Sequence, residues 1–538
     1  MMRVLVTAAA FLCVTTTGCA RVSQQSGVVV SVSPPATQVG ANVLAGGGNA
    51  VDASIATAFA LAVTWPEAGN IGGGGFMLVA EPDRRPYCID YRETAPATAT
   101  TGMYTPGEDR HTPKHVGVPG TVAGLHLAHE KHGTVPWNQL VQPAVDLARD
   151  GFVVDAFLAE SLNAVLRDNP PAELTRVYGK PGGEAWQDGD RLVLPELAET
   201  LQRIADNGPD GFYHGETADQ LTAFMKQTDG IITRDDLASY EAVEREATQY
   251  RFRGHDVWGA PPPSSGGISV GLALEQLEGF DLKRGSPQTY HLVAEVLRRA
   301  FHYRALYLGD PDFATPPPTP ALQPIDAERA TPSASLTPAL PLRQESPSTT
   351  HFSVIDAAGM AVANTYTLEQ SWGSRQIAPG TGFVLNNEMG DFNWVPGRTT
   401  AGGAIGTPAN LIAPGKRPLS SMSPTIVTRD DDIALITGSP GGRTIISTVL
   451  GIVVNYLALD LSPAESVQAG RLHHGWFPDV IRIERSLAVH AEELRAMGHV
   501  VELVDRQGSA HSIFVEDGKP VGVADARRGG LAISVLAD

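Results

Sequence analysis

Residues 349–370 read TTHFSVIDAAGMAVANTYTLEQ. Two runs rich in β-branched and aromatic residues flank the turn-forming DAAG at 356–359, so the segment predicts two strands joined by a tight turn. Residues 315–348, directly before it, hold nine prolines among 34 positions. Because proline has no N–H and a fixed φ, that run favours an exposed, extended chain over a helix or a central strand. An ordered strand therefore begins at Thr349, directly behind a loop.

A threonine that opens a strand behind an exposed loop suits a precursor that cleaves itself. A cut between Ser348 and Thr349 would free the threonine α-amine, so that nucleophilic hydroxyl and base belong to one residue. A free α-amine has a pKa of roughly 7.7–8.0, so a sizeable fraction is neutral near pH 7. Taken alone, these residues favour a simpler alternative, a linker followed by an ordinary strand, and motifs elsewhere in the chain have to decide between the two.

The composition is that of a globular protein with one large layered domain or several cores. The chain has 538 residues, of which 42% are hydrophobic and 18% charged. The formal net charge of −19 argues against nucleic acid as a partner, since a binder usually shows basic clusters. Strands mixed with apolar helices indicate a layered α/β or α+β body.

Residues 1–19 have the pattern of an export signal. Arg3 precedes a short apolar run and then small residues, and the run is too short to cross a bilayer and stay there. The sequence ending at Cys19 is similar to a bacterial lipoprotein cleavage box, although Thr16 stands where leucine is usual. We therefore expect a periplasmic or secreted protein, either free or anchored by lipid through Cys19.

The hydrophobic pattern predicts alternating helices and strands. Predicted helices are 36–44, 51–64, 134–150, 155–168, 268–278, 288–308, 442–458, 463–469 and 490–497. Predicted strands include 76–80, 250–259, 351–355, 361–367, 382–386, 424–428 and 433–437, and Cys88 is expected in a buried strand. The four glycines at 72–75 lack the Gly-Lys-Ser/Thr of a phosphate loop, so they indicate close backbone approach instead.

Several long motifs resemble the γ-glutamyltransferases, a family of N-terminal-nucleophile hydrolases. In chain order they are GGGNAVDASIATAFALAVTWPEAGNIGGGGFML, DYRETAP, GVPGTVAGL, TTHFSV, LNNEMGDF, GKRPLSSMSPT and TGSPGG. The resemblance covers nearly everything after residues 1–19. It implies an α+β fold, a four-layer αββα sandwich built from both halves of a self-cleaved precursor. The two products would be a large subunit, 20–348, and a small catalytic subunit, 349–538, which stay together.

The resemblance also implies the catalytic residues. Thr349 matches the nucleophile, whose hydroxyl attacks a γ-glutamyl carbonyl to form an acyl-enzyme. Thr367 matches the threonine that hydrogen-bonds the nucleophile's hydroxyl. Gly441 and Gly442 match the oxyanion hole, which agrees with chemistry because two backbone N–H groups at a helix start can face a developing oxyanion.

A γ-glutamyl donor carries an α-carboxylate and an α-ammonium far from the reacting bond, so its site needs a cation with hydroxyl donors and also carboxylates. By resemblance, Arg92 clamps the α-carboxylate, with the paired serines Ser420 and Ser421 beside it. Glu388 and Asp391 match the pair that holds the ammonium. An isolated arginine or glutamate is usually a surface charge, so the inference depends on their joint presence.

Two departures from the family pattern concern the donor site. Glu369 stands where the best-known members have asparagine, so three carboxylates could surround one ammonium, which would tighten its recognition or leave one carboxyl protonated. Asp391 matches the family pattern, which argues against an activity like that of the relatives that act as cephalosporin acylases. The span from Asp391 to Ser420 is long enough for a lid loop but lacks the tyrosine of lidded members. Trp394 either replaces that tyrosine or is a packed surface aromatic.

The sequence therefore predicts an exported, self-maturing γ-glutamyltransferase that acts on glutathione or related amides. Its acceptors would be amino acids, dipeptides or water, and the family needs no cofactor. His473 and His474 are adjacent, without the spaced ligands that would complete a metal site, so they are expected to be structural. Two alternatives are a depolymerase or amidase acting on poly-γ-glutamate or an acyl amide, and an uncleaved homologue that only binds γ-glutamyl compounds. The filled head-group and catalytic positions argue against both.

Overall fold

The computed structural model describes residues 26–105, 107–316, 325–329, 349–397 and 407–536. The predicted export signal, Cys19 and Ser348 lie outside these ranges. The strands are β1 Ser26–Ser31, β2 Gly74–Ala80, β3 Tyr87–Tyr91, β4 Phe152–Val153, β5 Arg191–Leu192, β6 Val243–Glu246, β7 Thr248–Phe252, β8 His255–Gly259, β9 Thr350–Ile355, β10 Ala361–Thr367, β11 Thr425–Arg429, β12 Asp432–Thr437, β13 Leu472–His474, β14 Ile481–Glu484, β15 Val501–Val504, β16 His511–Glu516, β17 Lys519–Ala524 and β18 Leu531–Leu536.

The α-helices lie between these strands along the chain. They are α1 Pro34–Ala45, α2 Ala50–Thr64, α3 Thr121–His132, α4 Trp137–Asp150, α5 Ala156–Arg167, α6 Ala172–Tyr178, α7 Pro195–Asn207, α8 Asp210–Tyr213, α9 Gly215–Gln227, α10 Arg234–Ala238, α11 Gly266–Leu277, α12 Pro287–Tyr307, α13 Thr444–Leu457, α14 Pro463–Gln468 and α15 Ala491–Ala496. Short 3-10 helices occur at Pro113–His115, Glu388–Asp391, Pro408–Asn410 and Arg485–His490. Within the described ranges, every helix is too short or too polar to span a bilayer.

Two antiparallel sheets form the centre of the molecule. The first has seven strands in the order β18-β1-β9-β10-β2-β3-β6, and the second has six in the order β17-β16-β12-β11-β8-β7. Both sheets combine strands from before and after residue 349. In the first sheet, β1 lies between β18 and β9, which both come from the later half of the chain.

Alternating side chains divide the core into two layers. Val29, Val79 and Val354 point to one face of the seven-stranded sheet, where α1, α2 and α3 cover the strands and α4 packs behind α2. Val28 and Leu78 point to the other face and pack against the six-stranded sheet, whose far side is covered by α11, α12 and α13. The resulting helix–sheet–sheet–helix stack confirms the predicted four-layer α+β sandwich.

The helix α2 shows how the sequence determines the inner helical layer. All its residues are buried, as expected for a helix that is apolar nearly all round. Asn49 caps its first turn in a reciprocal capping box with Asp52. The Asp52 carboxylate also accepts hydrogen bonds from Thr134, which ties the start of α2 to the segment before α4. A fully buried helix thus begins without leaving its polar N-terminus unsatisfied.

The glycine run at 72–75 lets β2 approach its neighbours closely. A Cβ on Gly73 would lie 2.1 Å from the carbonyl oxygen of Thr367, and one on Gly75 would lie 2.5 Å from that of Thr365. Real Cβ atoms do not come so near to backbone, so only glycine fits here. The finding confirms the prediction of close backbone approach, and it places β2 directly against the end of β10.

Two strand predictions were wrong. Residues 250–259 form the hairpin β7–β8 instead of one strand, because Arg253 and Gly254 turn the chain with φ values of 49° and 76°. Residues 382–386 form no ladder: Gly382 has a φ of 72°, and Leu385 exchanges backbone hydrogen bonds with Ser374 and Gln376 inside a loop. In both places a residue with a positive φ interrupts the segment that was predicted as a strand.

Candidate active site

Thr349 lies immediately before β9, and its side chain faces the end of β10. The residue is only 4% exposed. Its Oγ1 donates a hydrogen bond to Oγ1 of Thr367 at 3.2 Å. The antiparallel register, which pairs Thr350 with Tyr366, brings these two hydroxyls to the same end of the sheet. The Thr367 hydroxyl also accepts the backbone N–H of Glu369 at 3.0 Å, so its position is held from two sides.

A polar stack between the two sheets holds β9 behind Thr349. The Nδ1 of His351 lies 2.8 Å from Oγ1 of Thr365, and its Nε2 lies 3.0 Å from Oγ of Ser353. Ser353 in turn donates to the carbonyl oxygen of His511 at 2.8 Å. Burial lowers the pKa of His351 well below its usual range, so the ring stays neutral. A Cβ on Gly438 would meet this ring at 2.3 Å, so the loop after β12 passes directly over it.

That loop leads to Gly441 and Gly442 at the start of α13. Their φ values are 135° and 54°, in the left-handed region that favours glycine. The carbonyl of Gly441 accepts the N–H of Thr444 at 3.0 Å, and that of Gly442 accepts the N–H of Ile445 at 3.1 Å. The two glycines therefore form the entry to the first turn of α13, where backbone N–H groups collect positive potential.

Arg92 follows β3 and is fully buried. Its guanidinium lies 2.5 Å from Oε1 of Glu388 and 2.5 Å from Oδ2 of Asp391. Its Nε donates to the carbonyl oxygen of Pro418 at 3.2 Å, which joins the cluster to the segment carrying the two serines. The structure thus brings the predicted carboxylate-binding arginine together with the two predicted ammonium-binding carboxylates, and pairs them with each other.

Three carboxyl groups surround the single cation of Arg92. Glu93 lies 3.4 Å from the same guanidinium, so one cation faces Glu93, Glu388 and Asp391. Burial raises the pKa of Glu388 well above its usual range, against the opposing effect of Arg92. Burial likewise raises the pKa of Glu93 to about 7. A site of this kind favours the addition of another cation.

Ser420 and Ser421 are buried beside this cluster, in the stretch that begins at Pro418. The Oγ of Ser420 accepts a backbone N–H two residues later at 3.1 Å. The Oγ of Ser421 accepts a hydrogen bond from Arg304 of α12 at 2.9 Å. Ser421 is therefore fixed by α12, and the two serines follow Pro418, whose carbonyl oxygen accepts from Arg92, by two and three residues.

Glu369 has a counterion that the sequence did not predict. Its φ is 76°, and its Oε1 lies 2.9 Å from the guanidinium of Arg110. The Arg110 guanidinium stacks 4.9 Å from the ring centre of Trp394. The Trp394 indole N–H is also bound, to the carbonyl oxygen of Met389 at 3.0 Å. The Glu369 carboxylate thus has Arg110 as its counterion, so any effect of Glu369 on an ammonium would be shared with that cation.

Trp394 packs in an aromatic group instead of standing free above the site. Its ring centre lies 4.9 Å from that of Tyr104 and 5.3 Å from that of His115. This geometry favours the packed-aromatic alternative. Residues 398–406 of the predicted lid loop lie outside the described ranges.

His473 and His474 turn to different partners. The Nδ1 of His473 lies 2.7 Å from Oγ of Ser447, and the Nε2 of His474 lies 2.9 Å from Oδ1 of Asp479. Neighbouring residues of a strand point to opposite faces, so the two rings do not converge on one point. Their contacts are those of structural residues.

Sequence reasoning missed four side chains of the site. Glu93 and His351 lie inside the motifs quoted above. Glu93 is next to Arg92, and His351 is two residues after Thr349, so the motifs could have indicated both. Arg110 and Arg304 occur in no motif, and only the fold brings them to Glu369 and the serine pair.

Comparison with known proteins identifies the family. A family model described as gamma-glutamyltranspeptidase matches residues 36–535. The chain is 44% identical over 528 residues to the glutathione hydrolase proenzyme of Escherichia coli (strain K12), covering 94% of this chain and 91% of the relative. It is 41% identical over 526 residues to the glutathione hydrolase proenzyme of Pseudomonas aeruginosa, covering 94% and 93%.

Solved structures agree with these sequence matches. A cephalosporin acylase from Bacillus halodurans superposes with a TM-score of 0.82 at 24% identity, covering 95% of this chain and 96% of that chain, which shows a shared fold. The γ-glutamyltranspeptidase of Helicobacter pylori matches with a TM-score of 0.51 at 38% identity, over 53% of this chain and 84% of that chain. With the family model spanning nearly the whole sequence, the chain belongs to the γ-glutamyltranspeptidase family.

Proposed function

We propose that the chain is a self-processing enzyme that transfers the γ-glutamyl group of glutathione or a related γ-glutamyl amide to an amino acid, a peptide or water. The observation that carries this proposal is the hydrogen bond between the hydroxyls of Thr349 and Thr367 at the start of β9. Family membership and the names of the glutathione hydrolase relatives support it.

The proposed chemistry runs through an ester on Thr349. After cleavage, the α-amine of Thr349 takes the hydroxyl proton while Oγ1 attacks the γ-carbonyl, and the amine then passes that proton to the leaving nitrogen. The N–H groups of Gly441 and Gly442 stabilise the oxyanion, and losing one such donor typically costs about 2.7–4 kcal/mol. An acceptor amine or water then attacks the ester by the reverse proton path, which releases the product and the free hydroxyl.

The buried charges suit a zwitterionic glutamyl head group. The donor carboxylate would pair with Arg92, assisted by Ser420 and Ser421, while its ammonium would take over Glu388 and Asp391. Each charge inside the cluster exchanges one partner for another, so no buried charge is left unpaired. Because Arg92 is fully buried, the site fits a terminal glutamyl unit better than a unit inside a polymer.

The proposal extends to processing and location. We infer that cleavage between Ser348 and Thr349 yields subunits 20–348 and 349–538, and that residues 1–19 direct export to the periplasm or beyond the cell. Cys19 would carry the lipid if the protein is anchored. The junction between a proline-rich stretch and a strand supports the cleavage site.

The test compares purified wild type with Thr349→Ala and Thr349→Ser. Wild type should give two bands on a denaturing gel, the smaller beginning Thr-Thr-His-Phe, and should release aniline from γ-glutamyl-anilide faster when glycylglycine is present. Thr349→Ala should stay as one inactive chain, while Thr349→Ser should still cleave because it keeps a hydroxyl. If Thr349→Ala still cleaves itself and turns over substrate, Thr349 is not the nucleophile. Two bands without stimulation by the dipeptide would indicate a hydrolase.

A further inference from the structure

Three buried side chains outside the candidate active site converge between the two halves of the chain. His291 and Glu295 lie one turn apart on α12, and His499 lies in the loop between α15 and β15. Nitrogen or oxygen atoms from the three residues all lie within 4.8 Å of one another. The i, i+4 spacing puts the first two on one helix face, which His499 closes from the other half of the chain.

The hydrogen bonds of His291 determine where its proton lies. Its Nε2 is 2.8 Å from the carbonyl oxygen of Asp326, and because a carbonyl can only accept, this nitrogen carries the proton. The other ring nitrogen, Nδ1, lies 2.7 Å from Nε2 of His499 and is left as the acceptor of that contact. This nitrogen of His499 therefore donates, and the two rings hold a single proton between them.

The arrangement around these rings resembles the surroundings of a metal ligand. Metal-binding histidines usually donate their second ring N–H to a carbonyl or carboxylate, as His291 does to Asp326. Ligating carboxylates are themselves held by outer partners, and Glu295 is held by Arg298 at 3.2 Å and Arg299 at 2.6 Å. A structural pair of histidines needs neither the carboxylate nor the fixed tautomer.

We propose that His291, Glu295 and His499 bind a divalent transition-metal ion, with Zn²⁺ as the best match. Two imidazole nitrogens and one carboxylate are ligands that zinc accepts, with bonds of about 2.0–2.2 Å. The ion takes the place of the shared proton, which moves from Nε2 to Nδ1 of His499, so the ring stays neutral. Among the described residues this Nδ1 has no hydrogen-bond partner, so it can take the proton without breaking a contact.

Binding requires a small movement of the two rings. Around a tetrahedral ion the two nitrogens would stand about 3.3 Å apart, instead of the present 2.7 Å. His499 is on a loop, so its ring can move further than His291 on the helix. The two nearby guanidinium groups oppose the ion, so we expect a weaker site than one made of neutral ligands alone.

The site has a structural consequence that rests on the proposed cleavage. His291 and Glu295 precede residue 349, and His499 follows it, so in the processed protein the ion would join the two chains. The site lies apart from Thr349 and the buried arginine cluster in the sequence and uses none of their residues. Metal loading should therefore change the stability of the assembly and leave the turnover of γ-glutamyl-anilide unchanged.

The experiment uses the full protein without a histidine tag, stripped with a chelator and dialysed against Zn²⁺ alone. Wild type should bind one equivalent and unfold at a higher temperature with zinc than without it. His499→Gln should bind zinc at least about tenfold more weakly, although its amide N–H can keep the hydrogen bond to His291. His490→Ala, which changes a histidine whose ring centre lies 4.8 Å from that of Tyr290, is the matched control and should bind like wild type.

X-ray absorption of the zinc-loaded wild type tests the ligands without any variant. Two imidazoles and one carboxylate in the first coordination sphere support the site. A wild type that binds no zinc, a His499→Gln variant that binds as tightly as wild type, or an absorption spectrum without two imidazoles would overturn it. Each of these outcomes is independent of the anilide assay, so failure of the metal site and failure of the proposed activity can be told apart.

Discussion

Arg92 is the residue on which the buried charges depend most directly. Arg92→Ala would leave Glu93 and Glu388 buried without their cation, and breaking such a pair typically costs about 3–5 kcal/mol. We expect that loss in the free energy of unfolding measured with urea, together with loss of donor turnover. Arg92→Lys is the control: it keeps the charge but not the two-pronged geometry, so it should recover more stability than donor binding. Equal losses in both variants would contradict this account.

Glu93 gives the cluster a pH dependence. Its folded-state pKa is raised to about 7 by burial, so folding favours the protonated form. Protonated Glu93 stabilises the fold fully below the pKa that this carboxyl has in the unfolded chain. Above that pKa the stabilisation falls by roughly 1.4 kcal/mol per pH unit, and it is lost once the pH has risen through about 7. Glu93→Gln removes this dependence. In urea unfolding, the free energy of unfolding of the variant relative to wild type should therefore be higher at about pH 8 than at about pH 5. The same difference between the two proteins at both pH values would refute the prediction.

Glu369 and Arg110 should act as a pair. Glu369→Asn would leave the Arg110 cation near the proposed ammonium site, and Arg110→Ala would leave an extra carboxylate there, so each change should alter the KM for the donor. The double variant restores the charge balance and should lie closer to wild type. We expect a coupling of at least about 0.5 kcal/mol from the four KM values. Additive effects would show that the ion pair has no part in donor recognition.

At the scale of elements, the close contact between β2 and β10 positions Thr367. Gly73→Ala would push a Cβ into the Thr367 carbonyl, and crowding of this kind typically costs about 1–3 kcal/mol. We expect a lower unfolding temperature and reduced turnover, because the shift reaches the hydroxyl that Thr349 contacts. Gly279→Ala is the control, since nothing lies within 4 Å of its added Cβ. An active, fully stable Gly73→Ala would contradict the tight contact.

The elements that the sequence predicted well are those whose own residues determine them. β9 and β10 came out within one residue, because alternating apolar residues flank a clear turn. The hairpin at Arg253 was missed because a non-glycine residue adopts a positive φ there. The outer strands β17 and β18 went unassigned because they are half exposed and lack a continuous apolar run.

The candidate site shows the same division between motif and fold. Arg92, Glu388 and Asp391 were predicted because they lie in motifs, and the structure brings them into one cluster. Their pairing with one another was not predicted, since a motif does not tell which charge faces which. Arg110 could not be predicted either, because its partner Glu369 is 259 positions away and only the fold brings the two together.

For the molecule as a whole, both central sheets contain strands from before and after residue 349. A cut at that point breaks one peptide bond but no ladder between strands. We expect the processed protein to elute as one species in native size exclusion, while a denaturing gel separates two chains. Mild urea should release neither chain before the whole fold is lost, because β1 is paired on both sides by the later half. Separate elution of a folded small chain would contradict this arrangement.

The place of β1 between β18 and β9 also affects how the protein can regain its fold. In an uncut chain these three strands find one another within one molecule, so the rate of refolding does not depend on protein concentration. Once the chain is cut, the same sheet can form only when two molecules meet, and recovery after denaturation should fall as the sample is diluted. Cleavage at residue 349 would therefore turn a reversible folding reaction into one that dilution makes practically irreversible.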